Sequence, residues 1–550
     1  MPTLRSLLAP TFAPLRNRLF AGVWTASLVS NFGTMIQSVA AAWVMTSIDG
    51  RADMVALVQS STSLPIMFFS LLAGALADVF DRRLVMLWAQ AWMFVVSAAL
   101  AGLTWAGHLT PWWLLAFTFL IGCGGSLYGP AWQSSVGEQV PRADLPAAIS
   151  LNSLGFNLAR SAGPALGGVI VATLGASVAF LINAVSYLGL IGVVSGWKRP
   201  PVDRTLPPER IGEAMAAGLR YVASAPAIRA VLVRSMLFGI PGSAVWALLP
   251  LVSRDVVHGG AGVYGVLFGS LGVGAVIGAL VSTPVRRTFA NEAVVDGATA
   301  VFAVGIVGVA ASSSVYLSVP ALILTGTGWV VALSTFNVIV QVSSPRWVVG
   351  RTLAVYQMVT FGGLAVGSWL WGHVAAAHGV PLAMAASAAT MLVGPLIGLS
   401  RPLPAAETLD LGPSHSWADP DVRLAELNGP VRVSVEYLVD PVDVADFRHA
   451  MAERRRIRRR DGARRWALLQ DVESPERWVE SFASPSWTEH LRSHHRVTVA
   501  DREIEARAAA FHRGSEPPKV RHLLERGTST REDRVIVADT NLAPQASGAG

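Results

Sequence analysis

Charge is scarce in this chain. Asp, Glu, Lys and Arg make up 14% of its 550 residues against 52% hydrophobic, with a mean hydropathy of +0.48; soluble domains carry about 25% charged residues. The deficit is local, because long apolar runs fill residues 1–400 whereas 401–550 are dense in Arg, Asp, Glu and His. An entirely soluble protein is excluded, and two solvents are implied, lipid for the first part and water for the second. Cysteine is nearly absent. Cys123 alone rules out an intramolecular disulfide or a cysteine metal cluster, and its neighbours Gly122, Gly124 and Gly125 mark it as a small packing residue. No Walker sequence occurs, so the glycines at 265, 269, 272, 274 and 278 read as close-packing surfaces and ATP hydrolysis is not supported. No apolar run holds a convincing mid-depth carboxylate, since Asp296 and Glu138 fall near run ends. His490, His494 and His495 lack a ligand constellation, and neither a metal nor a cofactor is expected. No cleavable leader is expected, because Arg5, Arg16 and Arg18 precede a run long enough to span, with no small-residue cleavage site after a short apolar core. The net charge of +7 would suggest nucleic acid in a soluble protein; here a membrane-side bias accounts for it, and no nucleic acid partner is expected.

About 20 apolar residues cross a bilayer. Twelve runs qualify, roughly 19–45, 54–77, 84–106, 112–137, 146–171, 174–196, 229–253, 262–284, 293–312, 315–341, 351–377 and 380–400. Arginine and lysine gather before span 1 and in alternate loops (Arg16, Arg18, Arg82, Arg83, Arg142, Lys198, Arg199, Arg204, Arg210, Arg220, Arg286, Arg287, Arg346), while the other loops hold little beyond Arg51 and Arg254. Positive residues collect on the cytoplasmic side, which places both termini and the central loop there, in a multi-pass protein of the cell inner (plasma) membrane. Within the loop 198–228, Ile211, Met215, Leu219 and Val222 repeat at helical spacing, as in a short amphipathic helix lying on the membrane face. The implied domains are 1–197, a six-helix bundle; 198–228, the central loop; 229–400, a second six-helix bundle; 401–428, a linker; 429–526, a small soluble domain; and 527–550, a disordered tail rich in Ala, Ser, Gly and Pro.

The two halves repeat. Gly74-Ala-Leu…Arg82-Arg83 falls on Gly278-Ala-Leu…Arg286-Arg287 at an offset of 204 (286 minus 82), and the same offset places Pro141-Arg142 on Pro345-Arg346 and Gly163-Pro-Ala-Leu-Gly-Gly168 on Gly367-Ser-Trp-Leu-Trp-Gly372. Parallel repeats with a midplane site between them describe one class of secondary transporter. Gly74-x-Leu76-Ala77-Asp78-x-x-Asp81-Arg82-Arg83 resembles the span 2–3 turn of the major facilitator superfamily, with Asp81 where that pattern normally has glycine. Gly163-Pro164-x-x-Gly167-Gly168 resembles the superfamily's antiporter motif. The stretch from Gly129-Pro-Ala-Trp-Gln133 through Leu151-Asn152 and Asn157-Leu-Ala-Arg160 to Gly168 is similar to the enterobactin-exporter-like or transmembrane secretion effector subfamily. The resemblance implies an all-α membrane protein of twelve transmembrane helices in two six-helix bundles, exporting a small amphipathic molecule with the help of protons.

Physical reading assigns candidate roles. Asp78 can face the N-terminal dipole of span 11 near Arg351, and Arg82 can reach Glu138. With Gly74 and Arg83 these form an expected cytoplasmic latch, made only when that side is closed; the bland reading is a topogenic loop. Ser282 stands where the second half would need the acid, so the latch should be one-sided. Arg160, mid-depth on span 5 with Asn152 and Asn157, is costly in hydrocarbon unless it faces a cavity or partner. It either meets an anionic substrate or couples to protons, or it pairs with carbonyls freed by the Gly/Pro motif. Asn31, Gln37, Gln133, Asn337, Tyr356 and Gln357 are further midplane candidates for substrate or coupling, each equally able to make an interhelical hydrogen bond, and Trp43, Trp329, Trp369 and Trp371 could line an amphipathic path.

The soluble part reads as strand 431–439, helix 442–460, strands 465–472 and 477–482, helix 486–511 and strand 520–525. This β-α-β-β-α-β order fits a ferredoxin-like sandwich and weakly resembles small dimeric α/β-barrel domains, so pairing of two copies through it is a possible partner interaction. The run Arg454-Arg-Arg-Ile-Arg-Arg-Arg460 could touch anionic headgroups or nucleic acid, or be a solvated face. An importer of the same fold and a membrane-anchored enzyme or sensor working through 429–526 are the alternative functions.

Overall fold

The computed structural model describes residues 12–141, 143–197, 211–400, 402–403, 411, 414 and 429–526, without the side chains of Asp78, Val79 and Ser400. The central-loop segment 198–210, nearly all of the linker and the tail 527–550 lie outside the described residues. Six helices form the first half: α1 (Arg18–Ile48), α2 (Ala52–Val79), α3 (Arg82–Trp105), α4 (Pro111–Gln139), α5 (Leu145–Leu174) and α6 (Ala176–Ser195). After α7 (Ile211–Ser224) the second half comprises α8 (Pro226–Leu251), α9 (Ala261–Thr288), α10 (Asn291–Ala310), α11 (Val315–Val342), α12 (Val349–His378), α13 (Val380–Met391) and α14 (Val393–Ser400). Among the described residues, eleven helices are long and apolar enough to cross a membrane, with 380–399 counted as one. The long helix left out is α5, where Asn152, Asn157 and Arg160 interrupt the apolar sequence.

The sequence repeat is also a repeat of form. An offset of 204 carries α5 onto α12 (349 minus 145), Gly175 onto Gly379 (379 minus 175), and the start of α6 onto that of α13 (380 minus 176). Gly175 and Gly379 hold φ of 86° and 87°, a conformation glycine adopts without steric cost. Equivalent helix pairs are therefore joined by equivalent tight turns.

The halves meet along two seams, α5 against α9 and α2 against α12. In the first, a Cβ on Gly168 would lie 2.7 Å from the Ala261 carbonyl and 2.8 Å from Gly265 Cα, and a Cβ on Gly265 would lie 2.7 Å from the Pro164 carbonyl. Further along, a Cβ on Gly272 would meet the Arg160 carbonyl and sit 2.5 Å from Ser161 Cα. Backbone touches backbone, as small residues allow between helices in lipid. In the second seam Gly372 admits Ala56, and the hydroxyls of Ser60 and Ser70 donate to the carbonyls of Ala365 (2.8 Å) and Ala354 (3.0 Å).

Helix α7 packs on α2 and α12 through Ala214, Ala217, Gly218, Tyr221 and Val222. This corrects the face read from sequence: Leu219 is exposed, because the smaller residues permit the closer approach, Gly218 lying against the Arg351 side chain.

The soluble part contains β1 (Val431–Leu438), α15 (Val444–Arg460), β2 (Arg464–Gln470), β3 (Arg477–Ser484), α16 (Trp487–His495), α17 (Val499–Ala510) and β4 (Lys519–Leu524). Its antiparallel sheet has the order β2-β3-β1-β4. The single helix expected over 486–511 is two, because Thr498 and Asp501 form a reciprocal capping box that starts a new helix. The arginine run is divided, with Arg455, Arg456 and Arg459 exposed and the other three bound to carboxylates of their own domain. Arg454 is buried against Glu480 (2.9 Å), Arg458 pairs with Glu480 (3.4 Å) and Glu505 (3.2 Å), and Arg460 pairs with Asp461 and Asp501 (both 2.8 Å). Burial pushes the Glu480 carboxyl up, but the facing Arg454 and Arg458 outweigh it and hold it below the ordinary carboxylate range.

Gly168→Ala should destabilise the protein by about 1–3 kcal/mol, the usual cost of forcing atoms into a packed contact. Gly129→Ala, where nothing lies within 4 Å of the added carbon, should leave the thermal unfolding midpoint in detergent unchanged.

Candidate functional site

A cavity of about 710 Å³ lies between the halves. The α1, α2, α3 and α4 helices line it from one side and α8, α9, α11 and α12 from the other. Its wall mixes amides with rings: Asn31, Gln37, Gln133, Asn337 and Gln357 face Trp246, Tyr264, Phe268 and Phe361. Such a mixture suits a ligand with an apolar body and a few hydrogen-bonding groups. Among the described lining residues no Asp, Glu, Lys or His occurs, and Arg351 is the charged one.

Gln37 anchors a buried polar knot. Its Oε1 accepts from the Ser97 hydroxyl (3.0 Å) and from Asn183 Nδ2, and Asn183 Nδ2 also lies 3.0 Å from the Tyr187 hydroxyl. The knot ties α1, α3 and α6 together and exposes Gln37 and Tyr187 to the cavity. Ser97, Asn183 and Tyr187 are absent from the sequence candidates; a lone amide in the apolar α6 was the signal available. Asn337 bonds Gln341 one turn on, at an exposed place on the wall.

The other candidates lie elsewhere. Asn152, Asn157, Arg160 and Tyr356 do not line this cavity. Asn157 donates to the Ser153 carbonyl of its own helix (2.9 Å), and Tyr356 donates to the Leu333 carbonyl (3.3 Å). Arg160 is half-buried on α5, at the point where the seam reaches Gly272. Of the four tryptophans, Trp43 stacks on Tyr264, Trp329 sits in a cluster with Trp246 and Phe302, Trp371 donates to the Ile240 carbonyl (2.9 Å), and Trp369 lies against His373. The lining tryptophan is Trp246.

At the end of the bundle bearing the arginine pairs, Arg82 donates to the carbonyls of Ala77 (3.2 Å) and Ser134 (2.9 Å) and to Glu138 (2.8 Å), while Arg83 donates to the carbonyls of Val194 (3.1 Å) and Ser195 (2.5 Å). All these contacts stay inside the first half. Gly74, Ala77, Gly350 and Arg351 line the cavity nearby. The Asp78 side chain is outside the described residues. In the second half Arg286 donates to the Ser334 hydroxyl of α11 (2.9 Å). The span 5 motif knots three helices: Gly163 admits Met35 and Gly167 admits Ile36 of α1, Gly168 meets α9, and Pro164 lends the carbonyl that Gly265 approaches.

The opposite end carries a feature absent from the sequence candidates. Arg254, in a π-helical turn after α8, donates across the halves to the carbonyls of Thr46 (3.0 Å) and Gly50 (3.0 Å), and Asp255 holds it in place (2.6 Å). Trp43 stacks on Tyr264 beneath it. This clasp ties the two halves together at that end.

The chain matches the transmembrane secretion effector family over residues 9–530. It is a member of that family, within the major facilitator superfamily. The transporter is 26% identical over 414 residues to the multidrug efflux pump Tap of Mycobacterium tuberculosis, covering 70% of this chain and 94% of the relative. It is 27% identical over 319 residues to the enterobactin exporter of Citrobacter koseri, covering 56% and 74%. Its fold is also that of the nucleoside transporter NupG (TM-score 0.57, 13% identity, 70% and 99% covered) and of a bacterial homologue of the lysosomal transporter Spinster in an inward-facing form (TM-score 0.54, 13% identity, 70% and 96% covered).

Removing the clasp should open the far end. With Cys123→Ser as background and Ala42→Cys as a reporter in the cavity wall, Arg254→Gln should raise modification by an impermeant maleimide applied from that face several-fold. An unchanged rate would show that the end is held shut by other contacts.

Proposed function

We propose that this transporter is a secondary active exporter of a small amphipathic molecule, siderophore-like or drug-like, across the plasma membrane. The observation that carries the reading is the cavity of about 710 Å³, clasped at one end by Arg254 and lined at the other by Gly74, Ala77 and Arg351. Relatives named as efflux pumps and siderophore transporters support the substrate class and the outward direction. Under this reading α5 is the twelfth span, the arginine-rich end and both termini are cytoplasmic, and the conformer is inward-facing. The halves then rock about the seams, and the Arg254 clasp opens as the cytoplasmic end closes.

The cytoplasmic gate is proposed to comprise Gly74, Asp78, Arg82, Arg83, Glu138 and Arg351, with the arginine pair stiffening the first half so that it moves as one body. Proton antiport remains part of the reading, driven by a carboxylate outside the described wall. The sheet order β2-β3-β1-β4 supports a ferredoxin-like sandwich for residues 429–526, and its sheet edges offer a surface for pairing with a second copy. The wall favours neutral or anionic cargo, because it offers Arg351 and amides but no described carboxylate to hold a cation.

Inverted vesicles should take up a fluorescent amphipathic probe when a proton gradient is imposed and lose that uptake when it is collapsed. Asn31→Ala and Gln133→Ala should each weaken transport about 2- to 10-fold, the range expected when one net hydrogen bond of about 0.5–1.5 kcal/mol is lost. A chain ending at residue 400 should retain gradient-driven uptake; its loss would favour work done by the soluble domain.

A further inference from the structure

The soluble domain brings together three histidines that the sequence keeps apart. His490 and His494 lie one turn apart on α16, and β4 at the sheet edge delivers His522. One ring nitrogen of each falls within 4.8 Å of the other two. The Nε2 atoms of His490 and His494 are 3.2 Å apart, and the His490 ring centroid lies 4.7 Å from that of His494 and 4.9 Å from that of His522.

We propose that His490, His494 and His522 form a binding site for one zinc ion. Three convergent imidazoles are a ligand set that suits zinc. For zinc–nitrogen bonds of about 2.0–2.1 Å in a tetrahedron, neighbouring ligand nitrogens stand roughly 3.3 Å apart, the separation that His490 and His494 already have. His522 is exposed on the edge strand, so its ring can swing the remaining distance without disturbing the core. His490 is fixed instead: it is 1% exposed and packed among Trp487 and Phe482. One rigid ligand, one half-buried ligand and one mobile ligand give a site assembled on a helix and closed by a strand. The exposed side leaves the fourth position to water or an external group, as in open zinc sites. Arg458, whose guanidinium lies 4.8 Å over the Phe482 ring, is matched by Glu480 and Glu505, which limits its repulsion of a cation.

The ion would join α16 to β4, two elements separated by the whole of α17. The test uses the full chain in detergent, purified through a tag without histidine and stripped with a chelator. Zinc titrated against a chromophoric indicator should bind at one equivalent per chain, and cobalt should give the intense visible absorption of a tetrahedral site. His522→Ala, on the surface, should weaken zinc binding at least 10-fold and remove the cobalt band while leaving the unfolding midpoint of the metal-free protein unchanged. His494→Ala should do the same to binding. No stoichiometric zinc binding, or binding that both variants leave intact, would overturn the proposal, and binding with an octahedral cobalt spectrum would mark an adventitious ion only.

Discussion

The rest of this transporter depends on two backbones touching. Where α5 crosses α9, Gly168 and Gly265 leave no room for a side chain on either helix, and at the repeat-related position Gly372 of α12 receives Ala56 of α2. Both lateral edges of the molecule are thus sealed by small residues, and the space left between the halves can open only along the remaining helices. The cavity wall follows from this: α1, α4, α8 and α11 contribute to it, and α5 does not. A seam without interdigitated side chains also offers little resistance to tilting, since no knob has to leave a hole.

Arginine does different work at the two ends. Arg82 and Arg83 bind carbonyls and a carboxylate of their own half, and Arg234, only 3% exposed, is satisfied by Glu292 and Asp296 at 2.7 Å each within the second half. These contacts turn each half into a unit. Arg254 instead reaches from one half to the carbonyl ends of the other. Carbonyls at a helix C-terminus are unsatisfied acceptors with partial negative charge, so a guanidinium can grip them without a partner acid. A clasp of this kind is geometry-dependent and breaks when the two ends separate by a few ångströms.

Eleven of the twelve expected spans, the repeat and the family were legible in the sequence because each is written in periodicity or in a local motif. The structure extends the offset of 204 to the equivalent turns at Gly175 and Gly379. The wall was legible in part: Asn31, Gln37, Gln133, Asn337 and Gln357 could be named because an amide in an apolar helix is conspicuous. Arg160 was conspicuous for the same reason, yet it lies on the seam side of α5, and polarity at mid-depth does not tell a cavity from a helix contact. Arg254 enters the sequence reading only as one of the few charges in its set of loops, whereas its role comes from the carbonyls it meets. Likewise His522 stands 28 residues from His494 (522 minus 494), and only the pairing of β4 with β1 brings it to α16.

Between the domain of residues 429–526 and the helices that line the cavity stands α7. Arg460 lies 5.9 Å over the Tyr221 ring, Arg496 lies 4.8 Å over Trp347, and Tyr221 itself donates to the Ser343 carbonyl (2.8 Å) in the turn between α11 and α12. On the same face, one turn earlier, α7 places Gly218 against Arg351, which lines the cavity. A chain of packed groups therefore runs from the domain through Tyr221 and Gly218 to the wall. Because Arg460 is already committed to Asp461 and Asp501, its position over Tyr221 is set by the fold of the domain. α7 rests on both α2 and α12, so any shift between those two helices acts on α7 and on the groups of the domain that touch it.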